Sequence, residues 1–525
     1  MHRLSILLAI VVIAGIASPV PAKAQSKDDA SANSNEFKVE QQKSTGSVTV
    51  EGKQINYDAV AGTIVVHPRG WDDVPQNTPK DDKNPPVEAS MFYVAYFKSG
   101  VDANAPRPVT FLYNGGPGSS TVWLHMGAFG PRRVVTADDT HTPAAPYSLV
   151  NNDFSLLDAS DLVFVDAPGT GFSRIAGPNK EKSFYGIDQD AHAFAEFITQ
   201  FLAKYGRWNS PKYLFGESYG TTRSAALIAV LEGEYDVDFN GVVLLSQILS
   251  FDNSVDGPEG NPGVDLPYEL ALPTYAATAW YHHKLPNGSP DLESFLTEVE
   301  HFAMNDYALA LEAGYTLPTE QRQAIAEKLH EYTGLPVEYI QKADLRINGG
   351  EFEKMLQDEN GLTTGRLDTR FSGPSMDPLS KEAEYDPQSA SISSAYVSAF
   401  NDYVRKELKF GQDRTYKPEI NTGSWDMTHG GNQGPANVMN DLAGAMKYNP
   451  NLKVLLNAGY FDLATPFFEG VYEMHHLPIP TSLDKNIEFK FYQSGHMVYA
   501  HEASLKQLHD NVAGFISSTD NTKGK

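Results

Sequence analysis

The sequence predicts an α/β chain with a mixed, mostly parallel sheet covered on both faces and a mostly helical segment inserted late. Three observations carry this expectation. Short apolar runs alternate with stretches of helical spacing through the first half of the chain, the text turns helix-rich from about 251 to 395, and sheet-like runs return only after 450.

The first residues, MHRLSILLAIVVIAGIASPVPAKAQ, combine a short basic start, an apolar run from Leu4 to Ala17 and a small-x-small site at Ala22-Lys23-Ala24. That pattern predicts a cleavable signal peptide over 1–24 and a chain exported to the periplasm or secreted. No other segment reaches about 18 uninterrupted apolar residues, so no retained membrane segment is expected. Residues 25–45 are polar and rich in Ser, Asn, Lys and Gln, and are expected to form a flexible leader.

Strand-like text follows at Thr63 to Val66, Met91 to Phe97, Pro108 to Tyr113 and Asp161 to Asp166. The connection WDDVPQNTPKDDKNPP is too polar and Pro-rich for core. Ala191 to Tyr205 has helical spacing, Lys212 to Phe215 reads as a strand, and TTRSAALIAVLEG reads as a helix ending near Gly233, before a further strand at Gly241 to Leu245. The region 251–395 holds helical stretches such as Leu292 to Leu311 and Thr319 to Tyr332, and Leu452 to Gly459 and Ile487 to Tyr492 then complete the sheet. The expected organisation is therefore a discontinuous core, 46–250 and 396–518, around an insertion at 251–395.

At 525 residues and 41% hydrophobic, the chain can fill a large core, and with no cysteine its stability must come from packing. The missing cysteines in an exported chain point to a bacterial periplasm or the exterior. A formal net charge of −25 repels phosphate backbones, so no nucleic acid partner is expected. Oligomeric state is not legible.

The stretch FGESYG places Ser218 in a G-x-S-x-G pattern between a strand and a helix. Gly216 and Gly220 permit the sharp turn that exposes a nucleophilic hydroxyl, and the helix N-terminus favours negative charge there. Such a serine needs a base, and the base needs an orienting acid. Asp462, after LLNAGYF, and His496, in SGHMV, each follow a late strand, where loops converge. Asp426 and Asp441 compete for the acid role, although neither follows a clear strand. The pairs His282-His283 and His475-His476 lack a metal-site pattern and HExxH is absent, so no metal and no cofactor are expected. An oxyanion hole requires backbone N–H donors, and the glycine-rich run Asn114 to Ser120 can supply one to work with the N–H of Tyr219.

Taken together, NGGPGSS (114–120), VDAPGTGFS (165–173), GESYG (216–220), GYFDLATP (459–466) and GHMV (495–498) resemble the serine carboxypeptidase family, in its bacterial periplasmic form, from about residue 50 to 515. The resemblance implies an α/β-hydrolase core whose helical insertion is a lid. It implies Ser218 as nucleophile, Asp462 as acid, His496 as base, and Gly116 and Tyr219 as oxyanion-hole amides. By the same resemblance Asn114, Gly115 and Glu217 bind substrate, with Asn114 and a protonated Glu217 holding the free C-terminal carboxylate of a peptide. Two carboxylates in contact cannot both stay ionised cheaply, so peptide cleavage should favour acidic pH.

Three departures stand out. Leu112 occupies a position where the family often has Trp; Ala128 replaces a second Glu, removing a partner for Glu217; and the disulfides of eukaryotic members cannot form. An esterase or acyltransferase on the same scaffold is the alternative, since the triad serves ester and peptide bonds alike.

Overall fold

The computed structural model describes residues 37–72, 87–101, 106–423, 425–432 and 434–522. The expected signal peptide at 1–24 and the leader as far as residue 36 lie outside the described residues, as does most of the polar connection, at 73–86.

Ten strands form the main sheet: β1 (Gln41–Val50), β2 (Lys53–Val66), β3 (Glu88–Lys98), β4 (Val109–Tyr113), β5 (Asp161–Val165), β6 (Arg174–Ala176), β7 (Lys212–Glu217), β8 (Gly241–Leu245), β9 (Lys453–Gly459) and β10 (Ile487–Tyr492). Their order is β1-β2-β3-β5-β4-β7-β8-β9-β10, with short β6 pairing beside β5 on β3. The strands from β5 to β10 along this order run parallel, and β1, β2 and β3 pair antiparallel. The fold is thus an α/β-hydrolase-like mixed sheet with helical insertions.

Central strands β4, β5 and β8 are buried along their whole length, which is why they read as continuous apolar runs and not as alternations. Period two still sorts their side chains. Phe111 and Tyr113 of β4, Leu214 of β7 and Val242 and Leu244 of β8 enter one core, with helices α1 (Ile187–Tyr205) and α2 (Tyr219–Glu234). Leu112, Phe215, Val243 and Leu245 enter the other, beneath the helices Pro387–Lys406 and Glu502–Thr519.

Parallel strands in register bring their carboxyl ends to one edge: Leu112 pairs with Phe215, Leu245 with Glu217 and Gly459 with Tyr492. The chain segments 114–120, 218–220, 460–465 and 493–497 all leave from that edge, which is where a crevice forms in sheets of this kind.

Several boundaries differ from the expectations. Residues 41–45, read as the end of a flexible leader, belong to β1, which pairs with β2 from Gln41↔Gly62 to Val50↔Lys53. The hairpin turns at Glu51-Gly52, both with positive φ (47° and 75°), the arrangement that matches strand twist. β1 escaped notice because it is half exposed and polar. The stretch Leu292 to Leu311 is not one helix: Leu292–Phe302 passes through a π-turn at Ala303–Tyr307 into Ala308–Ala313. A boundary at 395 falls inside the helix Pro387–Lys406.

Candidate active site

Ser218 stands between β7 and α2 with φ 61° and ψ −131°, a conformation that non-glycine residues adopt only when their surroundings impose it. Its N–H donates to Leu245 O at 2.9 Å, and its C=O accepts from Thr221 N at 2.7 Å. Gly216 permits the turn, since a Cβ there would meet Gly220 O at 2.1 Å.

The run 114–120 lies directly against this elbow. A Cβ on Gly115 would come within 2.4 Å of Tyr219 N and 2.5 Å of Gly220 N, so only glycine allows the approach. Gly116 follows with φ 106°, and Tyr219 begins α2, where an N–H has no intrahelical acceptor. The loop is tied down by Arg223, whose Nη1 donates to Asn114 O at 2.7 Å and whose Nε donates to Asp190 Oδ2 at 2.6 Å. Arg223 and Asp190 are both fully buried, and the guanidinium lies 4.4 Å from the Phe194 ring centre.

On the far side of the crevice, His496 Nδ1 is 2.8 Å from Asp462 Oδ2. Asp462 is held by the N–H groups of Ala464 and Thr465, both donating to Oδ1 at 3.0 Å, and by Thr465 Oγ1 donating to Oδ2 at 2.8 Å. A carboxylate so placed accepts from Nδ1–H and leaves Nε2 as the free nitrogen. Burial would lower the His496 pKa, but the Asp462 charge and hydrogen bond outweigh it and raise the value above normal. The loops carrying both residues are clamped by one inserted segment, since His496 N donates to Leu367 O at 2.6 Å and Leu463 N to Arg366 O at 3.1 Å.

Glu217 is 3% exposed. Burial pushes its carboxyl up to about 7, although the His496 charge and hydrogen bonds from Tyr499 and Asn114 pull the other way. Tyr499 Oη donates to Oε2 at 2.8 Å and to Oε1 at 3.1 Å.

One cavity of about 430 Å³ is lined by Asn114, Gly115, Gly116, Glu217, Ser218, Tyr219 and His496. It thus gathers the residues singled out in the sequence apart from Asp462, which stands behind His496. Asp441 and Asp426 lie elsewhere: Asp441 pairs with His429 Nε2 at 2.8 Å, and Asp426 accepts from Thr428 Oγ1 at 2.6 Å. His282 Nε2 pairs with Thr369 O at 2.6 Å and His476 Nδ1 with Tyr472 O at 2.7 Å. Leu112 is buried in the core, and an indole reaches the cavity from Trp123 instead, its Nε1 donating to Ser119 Oγ at 2.8 Å. Sequence reasoning passed over Arg223, Thr465, Trp123 and Tyr499; of these only Thr465 sat within a quoted motif.

A family model described as Serine carboxypeptidase matches residues 82–521. The chain belongs to the serine carboxypeptidase family. Among curated proteins it is similar to the pheromone-processing carboxypeptidase KEX1 of Cryptococcus gattii, at 34% identity over 132 residues. That match spans 25% of this chain and 18% of the relative's length. Among solved structures it is similar to KEX1(Δ)P, a prohormone-processing carboxypeptidase from Saccharomyces cerevisiae, with a TM-score of 0.53 at 16% identity, covering 88% of this chain and 91% of that one. The likeness to that structure carries the fold. The enzyme class expected from the sequence, a serine-type hydrolase of the carboxypeptidase kind, agrees with the family. The expected bacterial periplasmic subtype is corrected, because both relatives are fungal processing carboxypeptidases.

Proposed function

We propose that the protein is a serine-type carboxypeptidase that hydrolyses the C-terminal bond of peptides through an acyl-enzyme, with a preference for acidic pH. In this scheme His496 Nε2 takes the proton of Ser218 Oγ as the oxygen attacks the scissile carbonyl, and the N–H groups of Gly116 and Tyr219 hold the resulting oxyanion. The imidazolium, steadied by Asp462, gives its proton to the departing amine of the C-terminal residue. Water, activated by the same imidazole, then releases the acyl group and restores the serine.

The observation that carries the exopeptidase reading is Glu217, a buried acid beside the nucleophile and in one cavity with Asn114. A carboxylic acid with its pKa near 7 holds a proton in acidic solution and donates it as a hydrogen bond to a substrate carboxylate, with the Asn114 amide as second donor. The insertion at 251–395 supplies Phe251, Asp256, Arg366 and Ser389 to the cavity wall, which suits a lid over bound peptide. Among the described residues no helix is long and apolar enough to cross a membrane. Export along a secretory route follows from the expected signal peptide.

The test compares kcat/KM for an N-blocked dipeptide bearing a free C-terminus with that for its C-terminal amide, in the wild type and in S218A. The free acid should be strongly preferred at acidic pH, and S218A should fold normally while losing at least about 10³-fold in turnover. Equal cleavage of acid and amide, or an active S218A, would overturn the proposal.

A further inference from the structure

We propose that Tyr499 is the positioning residue for Glu217, holding its carboxyl group in place beside the nucleophile. This deepens the carboxylate-recognition role proposed above and rests on it.

Tyr499 lies in the short turn Val498–Ala500, three residues beyond His496, and is buried. Its ring is wedged against the π-turn Leu124–Phe129: a Cβ on Gly127 would come within 2.7 Å of Tyr499 Cδ2 and of Tyr396 Oη. Ala128, the position where the resemblance leads one to expect Glu, is the next residue and is buried.

A phenol and a carboxylic acid are different partners. A second carboxyl can share its proton with Glu217 or add a negative charge beside it, so the pair titrates as a unit. Tyr499 does neither, because burial first, and then the Glu217 charge, hold its own ionisation far above neutral pH. It has one proton, which it donates to Glu217. Its hydroxyl reaches both carboxyl oxygens, Oε2 at 2.8 Å and Oε1 at 3.1 Å, so it fixes the carboxyl group as a whole without competing for the acidic proton that a ligand carboxylate would accept. The charged or titratable groups facing Glu217 are then His496, Asp462 behind it, Tyr499 and Tyr396, with the neutral Asn114 amide beside them.

The experiment measures kcat and KM against pH for the free-acid dipeptide and its C-terminal amide in wild type, Y499F, E217Q and E217Q/Y499F. Two results are expected of Y499F: the ratio of free-acid to amide kcat/KM falls about 5- to 10-fold, mainly through KM, and the falling limb of the free-acid profile moves to higher pH, because a donor that stabilises the Glu217 carboxylate has gone. In the E217Q background the Y499F shift should vanish. Equal losses on both substrates would make Tyr499 a general packing residue and overturn the inference, as would a ratio and pH profile identical to wild type. A wild type with no preference for the free acid fails earlier, at the recognition role itself, and is distinguishable from either result.

Discussion

Asp462 Oδ2 and His496 Nδ1 stand 2.8 Å apart, with the acid fully buried and the imidazole nearly so. In that geometry the carboxylate selects the Nδ1–H tautomer and stabilises the imidazolium. D462N presents a neutral amide of the same shape, with an NH₂ able to donate to Nδ1 and so favour the wrong tautomer. Turnover of any substrate should fall by about 10³- to 10⁴-fold, measured as kcat under saturating conditions. A loss confined to KM would contradict the role.

The pH profile should depend on what the substrate carries at its C-terminus. Glu217, raised by burial to about 7 from an ordinary 4.5, is protonated below that pH and loses its donor as pH rises through it. His496, with its pKa raised by Asp462 against the effect of burial, works as a base only once deprotonated. For a free-acid peptide kcat/KM should therefore be bell-shaped, rising with His496 and falling with Glu217, the two limbs being properties of a coupled pair. For an amidated peptide the Glu217 limb should disappear. E217Q keeps a neutral donor at every pH and should flatten the falling limb for the free acid, even where its absolute rate drops.

Gly115 leaves no room for a side chain. In G115A the new Cβ would meet the backbone nitrogens of Tyr219 and Gly220, which have no freedom to retreat without opening the elbow. A fall of about 10²-fold or more in kcat is expected. It should come with about 1–3 kcal/mol of destabilisation in thermal or urea unfolding. G233A is the control, since nothing lies within 4 Å of a Cβ at Gly233.

Arg223 links stability to the site. R223M removes a fully buried cation and strands Asp190, which should destabilise the protein by about 3–5 kcal/mol in chemical denaturation at neutral pH. Burial already raises the Asp190 pKa against the pull of Arg223, so without the guanidinium the carboxyl should take up a proton, and the deficit should shrink as pH falls. Because Arg223 also holds the Asn114 carbonyl, the folded variant should lose affinity for free-acid peptides.

What the sequence determined by itself is local. Glycines at 115, 216 and 220 mark turns because their positions are constrained by atoms a few residues or one neighbouring strand away. The apolar runs of β4, β5, β8 and β9 reveal themselves because strands buried on both faces are mostly apolar, with only isolated polar positions such as Thr110, Asp161 and Asn457. Ser218, Asp462 and His496, which the fold gathers around one crevice, each stand just after a strand, β7, β9 and β10, and position after a strand is a feature the sequence displays. Legibility failed where exposure or distance intervened. β1 is polar and half exposed, so its register comes from β2 and not from its own composition. Tyr499 meets Glu217 across 282 residues, and Leu367 meets His496 from within the insertion. Packing between distant segments chose those partners, because a hydrogen bond depends on where two side chains arrive in space, and nothing in the residues flanking either one records that.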